Sequence, residues 1–176
     1  MKHLILLLFF NFSFAQKDIY PVEEKHQRLI NNSNYSNEIF KDINNVLNKF
    51  LGRWTYSDLN NEVVIEVFKF FDESNRQDAL YINLRLNKNG KTLINTLDQT
   101  SPNIISGAFF MDSKNTSSLI VHFSEIQTGK VWVCGHSSAV HLTLNGKSLY
   151  WEIEPKKLVF NKTAELLPKK MTFQKN

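Results

Sequence analysis

Leu80-Tyr81-Ile82-Asn83-Leu84-Arg85-Leu86, running on into Asn87-Lys88-Asn89-Gly90, is the stretch that decides the fold. Leu80, Ile82, Leu84 and Leu86 alternate with Tyr81, Asn83 and Arg85, which is the two-residue period of a strand with one buried face and one wet face. Asn89-Gly90 then precedes a second strand-like run at 92–97. Asn-Gly suits a tight hairpin because both residues tolerate positive φ and the twist of the turn matches that of the flanking strands. The same signal recurs at Asn145-Gly146, between 141–144 and 149–153.

Working outward, further runs at 53–57, 62–71, 104–110, 119–125, 131–134 and 171–175 read as strands, each bounded by Asn, Asp, Ser, Gly or Pro. No helical stretch of useful length separates them, so parallel crossovers are not expected and neighbours should pair as a meander. A long meander exposes unpaired edges, and closing into a barrel removes them. The fold class is therefore all-β: an antiparallel up-and-down barrel of about eight to ten strands. An open Greek-key sandwich is the alternative.

Before the strands, Ile39, Phe40, Ile43, Val46, Leu47 and Phe50 recur at spacings of three and four, the period of an amphipathic helix. Ser36 stands at its N-cap position and Gly52 just past its end. One short helix over 36–50 is the expectation. Residues 16–35 are polar, carry Pro21 and an Asn-Asn-Ser-Asn run, and read as a leader to a domain spanning 36–176.

The first fifteen residues read as an export signal: a basic end at Met1-Lys2-His3, an unbroken apolar run from Leu4 to Phe10, and small residues Ser13 and Ala15 placed for cleavage before Gln16. That run falls short of the roughly 20 apolar residues a spanning helix needs. The processed protein is expected in the periplasm or outside the cell, with no membrane span. Its only cysteine is Cys134, which excludes an internal disulfide.

Charge argues against a nucleic-acid partner. The formal net charge is +4, and it falls by one when Lys2 leaves with the signal. Lysines do gather late in the chain, at Lys156, Lys157, Lys162, Lys169, Lys170 and Lys175, where they form either a solvated rim or a surface for an anionic envelope component. Cys134, His136 and His141 match none of the common zinc spacings, so neither metal nor cofactor is expected. Glu152 with Glu154, and His122 with Ser124, each share a strand face, as any wet face allows. His26 and the other histidines are scattered, and no nucleophile motif accompanies them, so no catalytic residue is assigned.

Phe50-Leu51-Gly52-Arg53-Trp54, opening the run of strands, resembles the Gly-x-Trp start of the calycin group, the lipocalin-like barrels. Residues 36–155 resemble more closely a family of exported Bacteroidetes proteins of the domain-of-unknown-function kind. The likeness is carried by Phe40-Lys41-Asp42, Asn44-Asn45, Leu47-Asn48-Lys49-Phe50, Ile94-Asn95-Thr96 and Ile104-Ile105-Ser106-Gly107-Ala108-Phe109-Phe110-Met111. The resemblance implies a Gram-negative source. It also implies that Trp54 plugs one end of a barrel beneath a basic side chain from the last strand, with Lys170 and Lys175 as candidates and Gly52 as a structural residue.

On this reading a monomeric barrel encloses a small apolar ligand among Leu80, Ile82, Leu84, Leu86, Val140, Leu142, Leu144 and Trp151, with Leu149 and Ile153 beside them. The alternative is that the same alternation builds a solid core. The protein would then meet an envelope or extracellular protein or glycan through its surface, for instance the loops at 98–103 and 112–118.

Overall fold

A computed structural model describes residues 18–31, 38–98, 105–123, 126–127, 130–131, 138–154 and 166–176. The first fifteen residues, expected to be an export signal, and Cys134, His136, Ser124, Lys156, Lys157 and Lys162 lie outside the described residues. In chain order the elements are β1 (Ile19–Pro21), α1 (Lys25–Asn31), β2 (Ile39–Lys41), β3 (Gly52–Ser57), β4 (Asn61–Asp72), β5 (Gln77–Lys88), β6 (Lys91–Asn95), β7 (Ile105–Phe109), β8 (Ser118–Phe123), β9 (Ile126–Gln127), β10 (Lys130–Val131), β11 (Ser138–Asn145), β12 (Ser148–Glu154) and β13 (Lys170–Lys175).

Strands β3, β4, β5, β7, β8, β11, β12 and β13 pair in that order, all antiparallel, and β13 returns to β3. The result is a closed eight-stranded up-and-down barrel, as the alternation predicts. Closure rests on two Cα pairs, Gln174 with Thr55 and Lys175 with Trp54, extended by the Asn176 amide donating to the Arg53 carbonyl at 3.1 Å. β9 and β10 form a separate two-stranded ribbon.

Strand β5 organises the rest. One of its edges pairs with β4 along all twelve residues. The other edge is divided: Gln77 pairs with Phe40 of β2, Leu80 to Ile82 pair with β7, and Arg85 to Lys88 pair with β6. The β5–β6 hairpin turns on Asn89 and Gly90, both at positive φ, in agreement with the Asn-Gly signal. In the β11–β12 hairpin the loop residues are instead Gly146 and Lys147. Asn145 still pairs with Ser148, and only Gly146 has positive φ. Glycine leads that loop, so the turn sits one residue later than the dipeptide suggests.

Two expectations are corrected. Residues 36–50 are not a helix: the described part forms β2, a turn and a single 3-10 turn at Asn48–Phe50. Asp42 accepts the Leu47 amide at 3.3 Å and the Lys69 ammonium at 3.1 Å, and Asn45 takes φ of 56°. Asp and Asn offer the backbone local partners that compete with helical bonding, and here that competition outweighs the apolar period. The helix lies earlier, at α1, within the stretch expected to be a polar leader. It is preceded by a 3-10 turn whose Val22 is buried in the core. The second correction concerns strand sense: β1 runs parallel to β2 and β2 parallel to β5. These short strands decorate the spare end of β5 and need no crossover within the barrel.

One continuous cluster fills the barrel, with Trp54, Val63, Ile65, Val67, Leu80, Ile82, Leu84, Leu86, Leu119, Val121, Val140, Leu142, Leu149, Trp151, Met171 and Phe173 as members from seven strands. Cross-strand partners carry it around the wall: Trp54 faces Ile65, which faces Leu84, and Leu142 faces Trp151, which faces Met171. At the end marked by the 3-10 turn, Trp54 donates its indole N–H to the Phe50 carbonyl at 2.9 Å. The indole N–H of Trp151 is buried with no partner among the described residues. At Gly107 (φ 133°) the β7–β8 register shifts between Ser106 and Phe109. The bulge needs a residue without a Cβ at that φ.

The two indoles give a direct comparison. Trp54→Ala is expected to cost about 3–5 kcal/mol, the range for deleting a buried large aromatic. Trp54→Phe should cost about 1 kcal/mol or more beyond Trp151→Phe, because only the former also gives up a buried hydrogen bond. Urea denaturation of the three variants measures both, and equal losses for the two Phe variants would contradict the placement of Trp54.

The β3–β4 turn yields a pH prediction. Asp58 accepts the amides of Asn60 and Asn61, the Asn61 side-chain amide and the Tyr56 hydroxyl. Hydrogen bonds from Asn61, Asn60 and Tyr56 hold its carboxyl well below the ordinary aspartate value. A depressed folded-state pKa stabilises above the unfolded value and is lost as pH falls through the folded one. Asp58→Ala should therefore lower the melting temperature at pH 7, and the gap to the unaltered protein should shrink steadily as the pH falls below about 4.

Candidate functional site

The residues expected to line a ligand all lie in or against the core. Leu80, Leu84, Leu86, Val140 and Leu142 are 0% exposed, Ile82 and Trp151 are 1%, and Leu144 is half-buried against the same cluster. A void wide enough for water leaves accessible area on its walls. The fully buried ones have none to speak of, and the Phe173 ring lies tilted against both Trp151 and Tyr56, with centroids 6.0 Å apart in each pair.

At the Gly-x-Trp step, Lys175 Nζ lies 5.1 Å from the Trp54 ring centroid. Gly52 takes φ 112°, a conformation open to glycine and strained for other residues, while a Cβ there would meet Lys175 Cε only at an ordinary 3.4 Å. Lys170 lies at the other end of β13 and pairs with Glu152 at 2.8 Å, which raises its pKa through the hydrogen bond and the Glu152 charge. Two of the late lysines are thus engaged within the barrel wall.

Of the acid and base candidates, Glu152 lies opposite His141 in the β11–β12 register and pairs with Lys170. His141 and Glu154 approach at 3.3 Å on the outer face of β11 and β12, both well exposed. His26 packs edge-on to Phe109 with ring centroids 4.5 Å apart. Among the described residues no group of three or more His, Cys, Asp or Glu is placed to hold a metal, and no helix is long and apolar enough to cross a membrane. Of the loops expected to be polar, 112–118 is ordered by its own side chains: Asp112 accepts the Lys114 amide and Asn115 the Ser117 amide. Residues 99–103 lie outside the described residues.

What sequence reasoning missed is a cleft of about 280 Å³ where α1 and β2 meet the β4–β5 turn, lined by Lys25, Leu29, Glu38, Phe40, Ser74, Asn75 and Arg76. Lys25 reaches from α1 to donate to Gln77 Oε1 at 2.7 Å and the Asn75 carbonyl at 3.3 Å, beside the Phe40 ring. Burial lowers its pKa below the ordinary lysine value, opposed by the charge of Asp72. Arg28 forks onto both oxygens of Glu38 at 3.0 and 3.3 Å while its guanidinium lies 3.3 Å from the Tyr20 ring centroid. Asp72 accepts the amides of Ser74 and Asn75 and the Asn75 side chain. The sequence signal that could have flagged this place is Pro21-Val22-Glu23-Glu24, a turn proline with acidic residues ahead of a basic helical segment.

No curated protein and no solved structure matches the chain. A protein family does, over residues 1–175, and the chain belongs to it: DUF6705, a family of unknown function.

Proposed function

We propose that this protein is an exported, non-catalytic interaction module. Its barrel is a solid scaffold, and its outer surface meets an envelope or extracellular component. The observation that carries this reading is the sealed interior, where the residues facing the barrel axis are 0–1% exposed along β5 and at Val140, Leu142 and Trp151. A pocket for a drug-sized or lipid-sized guest occupies roughly 300–1,000 Å³, and such a space would expose these walls. The non-catalytic part is supported by Glu152 and Glu154, which are held in ion pairs with Lys170 and His141 on the outer wall. Export to the periplasm or beyond is supported by the basic end, apolar run and small residues before Gln16.

The kinship of this barrel to lipocalins is part of the same proposal. It is supported by the Gly52–Trp54–Lys175 arrangement at the closing pair of strands. A second reading, a small ligand inside the barrel, has one observation in its favour: the unpartnered Trp151 indole N–H, a buried donor that a guest's acceptor atom would satisfy.

Titration with an anilinonaphthalene sulfonate dye separates the two. Folded protein is expected to give no saturable one-to-one binding, and no signal that a long-chain fatty acid displaces. Stoichiometric, displaceable binding would replace the scaffold reading with the ligand reading. Amino-terminal sequencing of the protein recovered from its native host should begin at Gln16, and an intact Met1 in the cytosolic fraction would refute export.

A further inference from the structure

From the cleft between α1, β2 and the β4–β5 turn, we infer a binding site for a small organic oxyanion, a carboxylate or phosphate group borne on a sugar-sized molecule, with Lys25 as the anchoring cation. This deepens the surface-acting reading above by naming the site and the chemistry of its partner.

Charge bookkeeping within the cleft carries the argument. Glu38, which lines the cleft, and Asp72 of the adjoining turn already have their partners. Glu38 is forked by Arg28, and both oxygens of Asp72 are held by the turn it organises. Lys25 differs, because the two acceptors holding it, Gln77 Oε1 and the Asn75 carbonyl, are neutral. Its ammonium is partly withdrawn from water with no contact carboxylate among the described residues, a costly arrangement that an incoming anion relieves. Asp72 acts on it only through space.

The rest of the lining suits the same guest. Ser74 and Asn75 add polar groups that can bond hydroxyls. Leu29 and the edge of Phe40 give an apolar wall for C–H surface. The volume of about 280 Å³ fits a monosaccharide-sized group and not a lipid chain. The backbone around the cleft is pinned: Phe40 donates its amide to the Arg76 carbonyl at 2.9 Å, and Lys41 bonds Asp78 at 3.2 Å. The site is therefore already formed before a guest arrives.

The test is a titration of isotope-labelled protein, followed by amide chemical shifts, with glucuronate, glucose 6-phosphate, inorganic phosphate and glucose at constant pH and ionic strength. Saturable shifts confined to the amides around Lys25, Phe40 and residues 74–77 are expected with glucuronate or glucose 6-phosphate, and none with glucose. Inorganic phosphate matching the sugar acids in affinity would identify a free oxyanion as the guest; weaker binding by phosphate would identify an acidic sugar. Lys25→Gln should weaken binding on the order of tenfold, whereas Lys147→Gln on the β11–β12 turn should leave it unchanged. Shifts spread over surface lysines generally, equal effects of the two variants, or no saturation with either sugar acid would overturn the inference. If Lys25→Gln fails to fold, the shift map of the unaltered protein decides alone. The dye titration reports separately on the interior, so failure of one reading is not failure of the other.

Discussion

Two Cα pairs, Thr55 with Gln174 and Trp54 with Lys175, join the last strand to the first of the barrel. A meander of eight strands is stable only if its outer edges find partners, since each open edge leaves a row of amides and carbonyls facing water or a neighbouring chain. Here the join is short, and side chains reinforce it. Trp54 fills the interior and ties itself to the Phe50 carbonyl, while Lys175, opposite it in the register, holds its ammonium 5.1 Å from the centre of the same ring. A cation over an aromatic face at an exposed site contributes about 0.5–1 kcal/mol. Burial of Trp54 contributes several times that, so the indole is the principal fastener and the lysine an addition to it.

Strand β5 supplies the second constraint. It alone has a partner along the full length of one edge and three partners along the other. Its alternation of Leu80, Ile82, Leu84 and Leu86 turns one face into the core, and its length of twelve residues leaves Gln77 beyond the reach of β7. That overhang accepts β2, with β1 outside it, so residues 18–50 dock where the barrel has a spare edge. The cleft around Lys25 follows directly, because it is the seam between this docked segment and the turn at the end of β5.

The barrel was readable in the sequence because strand period, hairpin glycines and bounding polar clusters all agreed. Each expected strand from 53 to 125 and from 141 to 175 has a counterpart, shifted at its ends by a few residues. Residues 36–50 were misread because apolar spacing alone does not weigh the local hydrogen bonds of Asp42 and the positive φ of Asn45, which break a helix regardless of period. Residues 18–31 were misread for the opposite reason. A seven-residue helix and a three-residue strand are too short to display a period, and they hold by docking, through Val22 in the core and Arg28 on Glu38. The cleft was illegible because Lys25 meets Asn75 and Gln77 only across about fifty positions of chain, through a parallel bridge that no local pattern announces.

The division between a sealed interior and a structured exterior bears on where specificity can reside. Changing the barrel core alters stability first, since every interior residue is packed on several others and a missing methylene leaves a void. Changing the docked segment alters a seam already bounded by paired charges, where Arg28, Glu38, Asp72 and Lys25 set the local field without supporting the barrel. A scaffold arranged in this way can retain Trp54, Lys175 and the β5 ladder while the lining of the seam is varied. On the proposed reading, relatives that recognise different envelope chemistry should therefore differ at positions 25, 29 and 74–76 before they differ at 80, 82, 84 and 86.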